Sequence, residues 1–202
     1  MDVFIFIHMF QHRNSQKRYY SSNYTYFVTF CTKDSFPYFN ENIFCDIFVD
    51  DLMLCKQLKQ FKLYAFCLLP NHVHLLLKPG INFDISNIIH FIKKNVSHNI
   101  NKIMEYNQFE LMPEGGFAQT RLRFDNMIKC YKNDFTIKYG TNQNLFPQFK
   151  WQESFHDHII RNLRDFNNHL QYTTYNFRKH KLPDSWQYSS INYGFMINET
   201  DY

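Results

Sequence analysis

The stretch Phe61-Lys-Leu-Tyr-Ala-Phe-Cys-Leu-Leu-Pro-Asn-His-Val-His-Leu-Leu-Leu-Lys78 decides how this chain is read. Two largely apolar runs, 61–69 and 72–78, flank Pro70-Asn71, and Pro79-Gly80 closes the second. Runs of this length between turn residues read as two strands. Alternate side chains of a strand share a face. His72 and His74 therefore project together, while Val73 points the other way into a core. Two imidazoles side by side at one end of a buried strand suit a divalent metal. They also suit two hydrogen-bonded structural histidines, and for a bare His-x-His that plainer reading is the commoner one.

Working outward, Tyr24 to Thr32 (YTYFVTFCT) is aromatic and β-branched, the composition of a strand. Between it and the quoted stretch, Phe44, Ile47, Phe48, Leu52, Cys55 and Leu58 recur at helical spacing within Glu41–Gln60. A second helix follows, capped by Asp84 or Ser86, with a stripe of Ile85, Ile88, Ile89, Ile92, Val96, Ile100 and Ile103. Trp151 to Arg161 (WQESFHDHIIR) reads as a strand with Phe155 and Ile159 on one parity. Asn162 opens a last helix, with Asp165 placed three residues later as in a capping box. That helix is expected to run to about Lys179, and Pro183 stops it. The order strand, helix, strand, strand, helix, strand, helix predicts an α+β fold. It is a ferredoxin-like (RRM-like) antiparallel sheet with helices packed on one face. The chain, 1–202, is expected to form a single domain. An insertion or flexible lobe is expected at about 104–147, with a turn at Pro113–Gly116 and helical character over Asn126–Tyr139.

The composition narrows the classes. The chain has 202 residues, 45% hydrophobic, enough for a proper core. Aromatic residues make up 19%; some of these rings belong to the core, and others can serve as platforms for unpaired bases. A net charge of +4 is compatible with nucleic acid without being diagnostic of it. The five cysteines include no C-x-x-C pair, which argues against a disulfide framework or a cysteine zinc site and for a reducing cytoplasm. No run reaches the length of a membrane span, and Met1–Phe10 lacks the basic start and cleavage site of a signal peptide.

At 100° per residue, Phe166, Leu170, Thr173 and Phe177 share the packing side of the last helix. Asp165, His169, Tyr172 and Asn176 fall on a neighbouring face, and Tyr172 and Asn176 stand one turn apart. An asparagine oxygen can complete a two-histidine metal set, and a tyrosine can act as a nucleophile through a covalent intermediate. Spacing alone leaves both as ordinary residues of an amphipathic helix.

Taken together, these residues resemble a known family. Leu69-Pro-Asn-His-Val-His-Leu-Leu76 looks like the signature of the single-tyrosine HUH transposases, nearest to the REP-associated tyrosine transposases. Tyr26–Thr32 is similar to that family's first strand, and Trp151–Arg161 to its W-Q-x-x-F-x-D-H-x-I-R segment. Tyr172-Thr-Thr-Tyr-Asn176 is similar to its Tyr-x-x-x-Asn-Pro, and Trp186–Ser190 to its W-x-x-S-S close. Two departures are visible: Phe177 stands where the family has proline, and the stretch from about 104 to 147 is longer than the family's. The motif places the nucleophile four residues before the asparagine, which selects Tyr172 over Tyr175.

The resemblance implies that His72, His74 and Asn176 hold one divalent cation, Mg²⁺ or Mn²⁺. It implies that Tyr172 cleaves single-stranded DNA beside a hairpin through a 5′-phosphotyrosine link that a free 3′-OH later reverses. Candidate DNA contacts are Arg13, Lys17, Arg18, Lys93, Lys94, Arg161 and Arg164. His156 and His158 form a second His-x-His, read as strand surface or DNA contact. His169, one turn from Tyr172, is a candidate general base. A monomer or homodimer with no membrane association is expected. The alternatives are a replication-initiator-like nickase, a domesticated protein that binds hairpin DNA without cutting, and a binding module with structural histidines.

Overall fold

Residues 21, 23–106, 118–140 and 145–200 are described by the structure, a computed structural model, with the backbone alone for 118–123. Arg13, Lys17 and Arg18, and the Pro113–Gly116 turn, lie outside the described residues. The aromatic, β-branched run forms β1 (Tyr26–Cys31), and the quoted stretch forms β2 (Lys62–Leu69) and β3 (His72–Lys78). Leu69 pairs with His72, so Pro70 and Asn71 make the whole connection. Proline presets φ and has no N–H to lose, which suits the start of a tight turn. The turn is also held from outside. The Thr32 backbone N–H and hydroxyl both donate to the Asn71 carbonyl, at 2.8 and 3.0 Å.

With β4 (His156–Ile159), the strands order β2-β3-β1-β4, and every neighbouring pair is antiparallel. The expectation of one strand from Trp151 to Arg161 is corrected: only these four residues form the strand beside β1. Trp151 makes an isolated bridge to Thr32 and packs its ring against Phe30 and Phe149, at centroid distances of 4.9 and 5.0 Å. Between the two, the Lys93 ammonium gathers the carbonyls of Gln152, Glu153 and Ser154 at 2.5, 3.2 and 3.5 Å. Carbonyls converging on one lysine are not laid out for a strand ladder.

The apolar stripes become α1 (Asn42–Lys59) and α2 (Ile85–Ile103), which cover one face of the sheet. Val28, Phe30, Val73 and Leu75 meet Phe48, Leu52, Ile92 and Val96 there, all at most 1% exposed. Of the two possible caps of α2, Asp84 is the one used, accepting from the Asn87 N–H at 2.7 Å. α1 ends at Gln60 in a left-handed conformation with φ of 51°. A Cβ on Gly80 would fall 2.5 Å from the Gln60 carbonyl oxygen, so that contact requires glycine.

The segment expected as an insertion or lobe contains α3 (Ala118–Tyr139), longer than the helix expected over Asn126–Tyr139. It docks on the α1–α2 layer through buried Ile128 and Phe135 and a Lys138–Glu41 ion pair of 2.8 Å. The Tyr131 hydroxyl donates to Asp50 at 2.5 Å, and Tyr139 adds a hydrogen bond to Glu41.

The expectation of helices on one face only is corrected: the opposite face of the sheet is covered by α4 (Leu163–Thr174) and α5 (Asn176–Lys179). Asn162 caps α4, its side chain accepting from the Asp165 N–H at 2.9 Å. The expectation of a continuous helix to Lys179 is corrected: Tyr175, with φ of −109° and ψ of 14°, separates the two helices. The break lets Asn176 and Phe177 sink to 2% and 1% exposure while Tyr172 stays 38% exposed. Beyond them the Trp186–Ser190 segment closes the free edge of β2. Leu68 N–H donates to the Tyr188 carbonyl at 2.9 Å, Trp186 Nε1–H to the Leu68 carbonyl at 2.9 Å, and Ser189 bridges Cys67. No helix among the described residues is long and apolar enough to cross a membrane.

Candidate active site

Strand register determines which side chains meet. His74 pairs with Thr29 and Cys67, and Thr29 pairs with His156, so these four line one row on the face that α4 and α5 cover. Phe27 pairs with Leu76 and His158 in the next such row. Both His-x-His pairs therefore face the last helices.

Each site histidine is anchored at Nδ1. His72 Nδ1 lies 2.7 Å from Asn71 Oδ1, and Asn71 Nδ2 donates to the Ser35 carbonyl at 3.3 Å, which turns the amide oxygen toward the imidazole. An oxygen can only accept, so His72 Nδ1 carries the proton and Nε2 presents a lone pair. His74 Nδ1 lies 2.7 Å from the Thr29 hydroxyl. His74 is 5% exposed, and its Nε2 has no hydrogen-bond partner among the described residues. The two rings stand 4.9 Å apart, and the His180 ring lies 4.8 Å from His72.

Burial, joined by the nearby His180 imidazole, pushes His72 down to about 4. Burial, with His72, His180 and Lys179 beside it, pushes His74 down to about 3. Both are neutral at pH 7, the form that binds a metal.

Asn176 completes the cluster. Both its Oδ1 and Nδ2 are buried with no hydrogen-bond partner among the described residues. The carboxamide is close enough to His74 to favour that ring's charged form, yet no hydrogen bond of ordinary geometry joins them. An unpaired buried polar group costs about 1–3 kcal/mol, so several in one place call for a ligand or a function. Lone pairs from two neutral imidazoles and one amide oxygen fit a divalent cation with positions left open.

Tyr172 stands beside this cluster, its ring 5.4 Å from His74 and 5.7 Å from Phe27. Tyr175 instead lines a separate groove with Tyr64, Gln171 and Ile191. Within one chain, His72, His74, Asn176 and Tyr172 are thus brought together.

The expected DNA contacts are dispersed. Lys93 and Lys94 belong to α2, on the far side of the sheet, and the Lys93 ammonium is engaged with its three carbonyls. Arg161 and Arg164 are exposed at the start of α4. Sequence reasoning missed Lys179, whose ammonium lies 5.0 Å from the centre of the Tyr172 ring, and His180 beside His72. Lys179 lies seven residues after Tyr172, a two-turn spacing that could have flagged it.

Sequence reasoning read His158 as strand surface or DNA contact; it is partly buried and joined to α4. His158 Nε2 and His169 Nδ1 each lie 3.0 Å from one oxygen of Asp165, and the two rings stack at 4.7 Å. Partial burial works to raise the Asp165 carboxyl. The His158 hydrogen bond and the Arg161 N–H outweigh it and hold the group below the usual carboxylate range.

The family model for IS200-like transposases matches residues 20–121, half of the chain. The chain belongs to that family. The matched span of this IS200-like transposase includes His72 and His74 and ends before Tyr172 and Asn176. A Haemophilus influenzae protein described as a REP-associated tyrosine transposase is 29% identical over 136 residues, which is 65% of this chain. The alignment spans 60% of that relative's length. Among solved structures, a REP-associated tyrosine transposase bound to a REP hairpin is similar in fold, with a TM-score of 0.59. It is 19% identical, and the match covers 88% of this chain and 82% of the other.

Proposed function

We propose that this protein cleaves and rejoins single-stranded DNA at hairpin-flanked sites through a 5′-phosphotyrosine intermediate at Tyr172, the chemistry of DNA transposition. The observation that carries this reading is the group of orphaned polar atoms, His74 Nε2 and the Asn176 carboxamide, buried beside a half-exposed tyrosine. Family membership supports a transposase, and the hairpin-bound structural relative supports hairpin DNA as the substrate.

His72, His74 and Asn176 would hold Mg²⁺ or Mn²⁺, which when bound supplies polarisation of the scissile phosphate and stabilises charge on the departing 3′ oxygen. Tyr172 Oη attacks the phosphorus, and the bond to the 3′ oxygen breaks with its electron pair. Tyr172 gives up its hydroxyl proton as the ester forms, and the departing oxygen takes up one proton as the free 3′-OH, so protons balance. The phosphodiester is exchanged rather than hydrolysed, so rejoining needs no external energy source. Asn71 and Thr29 fix the two imidazole rings from behind. Lys179 sets a positive charge beside Tyr172, where a phosphate has to come.

The test is covalent trapping of the full chain on hairpin-flanked single-stranded oligonucleotides with Mn²⁺. A denaturation-resistant adduct is expected, lost in Tyr172→Phe and kept in Tyr175→Phe. An adduct that survives Tyr172→Phe defeats the assignment. Hairpin binding with no adduct would favour a DNA-binding protein that does not cut.

A further inference from the structure

We propose that His158, Asp165 and His169 form a second divalent-cation site, separate from the first, which takes a first-row transition metal of the Zn²⁺ class and ties β4 to α4. One ligand atom from each of the three residues lies within 4.8 Å of the others. His158 comes from the edge strand, Asp165 and His169 from successive turns of the helix. The two rings are nearly parallel, 19° apart, so their nitrogens are presented side by side to one carboxylate. Each nitrogen addresses a different oxygen of that carboxylate.

Two imidazoles and one carboxylate, with positions left for water, make up a common donor set for Zn²⁺ and its neighbours. Magnesium favours oxygen ligands and keeps its own water, so it competes poorly for such a site. The location is distinct from the first cluster. The Phe27 ring stands between them, 5.4 Å from His74 and 4.8 Å from His169. In the metal-free chain the geometry is that of hydrogen bonds, and His169 Nδ1 also lies 2.9 Å from the Asp165 carbonyl oxygen. On cation binding the protons on these nitrogens move to the opposite ring nitrogens, and the freed lone pairs become ligands. β4 has only four residues and sits at the sheet edge, so a metal bridge to α4 would fix the helix that carries Tyr172.

This inference does not rest on the strand-cleavage reading, and different variants decide the two. Metal-free full chain is dialysed against Co²⁺ and then Zn²⁺, with stoichiometry, visible Co²⁺ absorption and melting temperature as readouts. His72→Ala/His74→Ala is expected to retain one tightly bound equivalent, and Zn²⁺ is expected to raise its melting temperature. His158→Gln/His169→Gln is expected to lose one equivalent relative to wild type, and excess Mg²⁺ should not displace the ion from this site. Asp165→Asn, which keeps the size of the side chain but removes its charge and one acceptor oxygen, is expected to weaken Co²⁺ binding there at least tenfold. The proposal is overturned if His158→Gln/His169→Gln binds as much Co²⁺ as wild type, which identifies the cluster as a hydrogen-bonded pair only. It is overturned equally if Asp165→Asn leaves the affinity unchanged.

Discussion

One face of one sheet carries two His-x-His pairs, and the last helices answer them differently. Opposite His72 and His74 lie an uncharged amide and a tyrosine; opposite His158 lie a carboxylate and a third imidazole. The first cluster buries His74 and Asn176 and leaves their polar atoms unpaired; the second is partly exposed, and each of its three residues makes a hydrogen bond. The helix residues of the two clusters, Asp165 and His169 against Tyr172 and Asn176, are each offset by seven positions. For Asp165 and Tyr172 that is two turns of α4, while Asn176 reaches the first cluster from α5, beyond the break at Tyr175. The difference teaches that a His-x-His gains its meaning from the element packed over it.

The largest expected effect breaks this comparison at its first member. His74→Ala should lower strand cleavage by at least about a hundredfold, because it removes a proposed ligand and its lone pair. His156→Ala, in the same cross-strand row but exposed on β4, should change cleavage less than about twofold. Adduct yield on one oligonucleotide compares them directly, and equal losses would mean that the row, rather than the buried cluster, carries the activity. Asn71→Ala follows. It should cost about 10–100-fold in Mn²⁺ affinity by freeing the His72 ring, with little change in melting temperature. Unchanged affinity would reduce Asn71 to a turn residue.

The sequence was most legible where periodicity and burial coincide. The stripes of α1 and α2, the alternation in β3 and the turn at Pro70-Asn71 follow from side-chain spacing, and the structure uses them as expected. His72, His74, Tyr172 and Asn176 could be named because motif order joined residues a hundred positions apart, which no local spacing can do. The break at Tyr175 was not legible. It follows from the burial of Asn176 and Phe177 against β2, a tertiary demand that overrides the helical pattern. α3 was obscured because its docking residues, Ile128, Tyr131, Phe135 and Tyr139, are spread thinly through a polar, charged helix. The Asp165 cluster stayed hidden because an aspartate in the first turn already has a sufficient local explanation as part of a cap. Lys93 misled for a related reason: a lysine on a helix surface gives no sign of carbonyls arriving from a loop about sixty residues away.

A smaller effect sharpens the contrast through stability. Asn176→Leu replaces an unpaired buried amide with a side chain of similar size that wants no partner. The metal-free fold should gain about 1–3 kcal/mol while cleavage is lost, because the amide's desolvation is no longer uncompensated. Denaturant melts of metal-free wild type and variant measure this, and a destabilised variant would show that Asn176 is satisfied in solution. The corresponding change in the second cluster, Asp165→Leu, should move the other way. It strips a carboxylate from two imidazoles and from the Arg161 N–H.

The smallest effect is a pH dependence to which the His72–His74 pair contributes beside His98 and His180, which burial also pushes down. In the unfolded chain both histidines take up protons near their ordinary value of about 6.5. In the folded chain His72 does so only at about 4 and His74 at about 3. Between those limits the unfolded state binds more protons, so stability rises with pH. The contribution of the neutral pair is therefore complete above about pH 6.5 and is lost progressively as pH falls toward 4. Most carboxylates titrate at the lower end of that window, so the interval from pH 7 to pH 5 isolates the histidines. Metal-free wild type should lose melting temperature steadily across that interval, and His74→Leu should flatten part of the slope. A slope that persists unchanged in His74→Leu would show that the buried His74 imidazole is not among its sources.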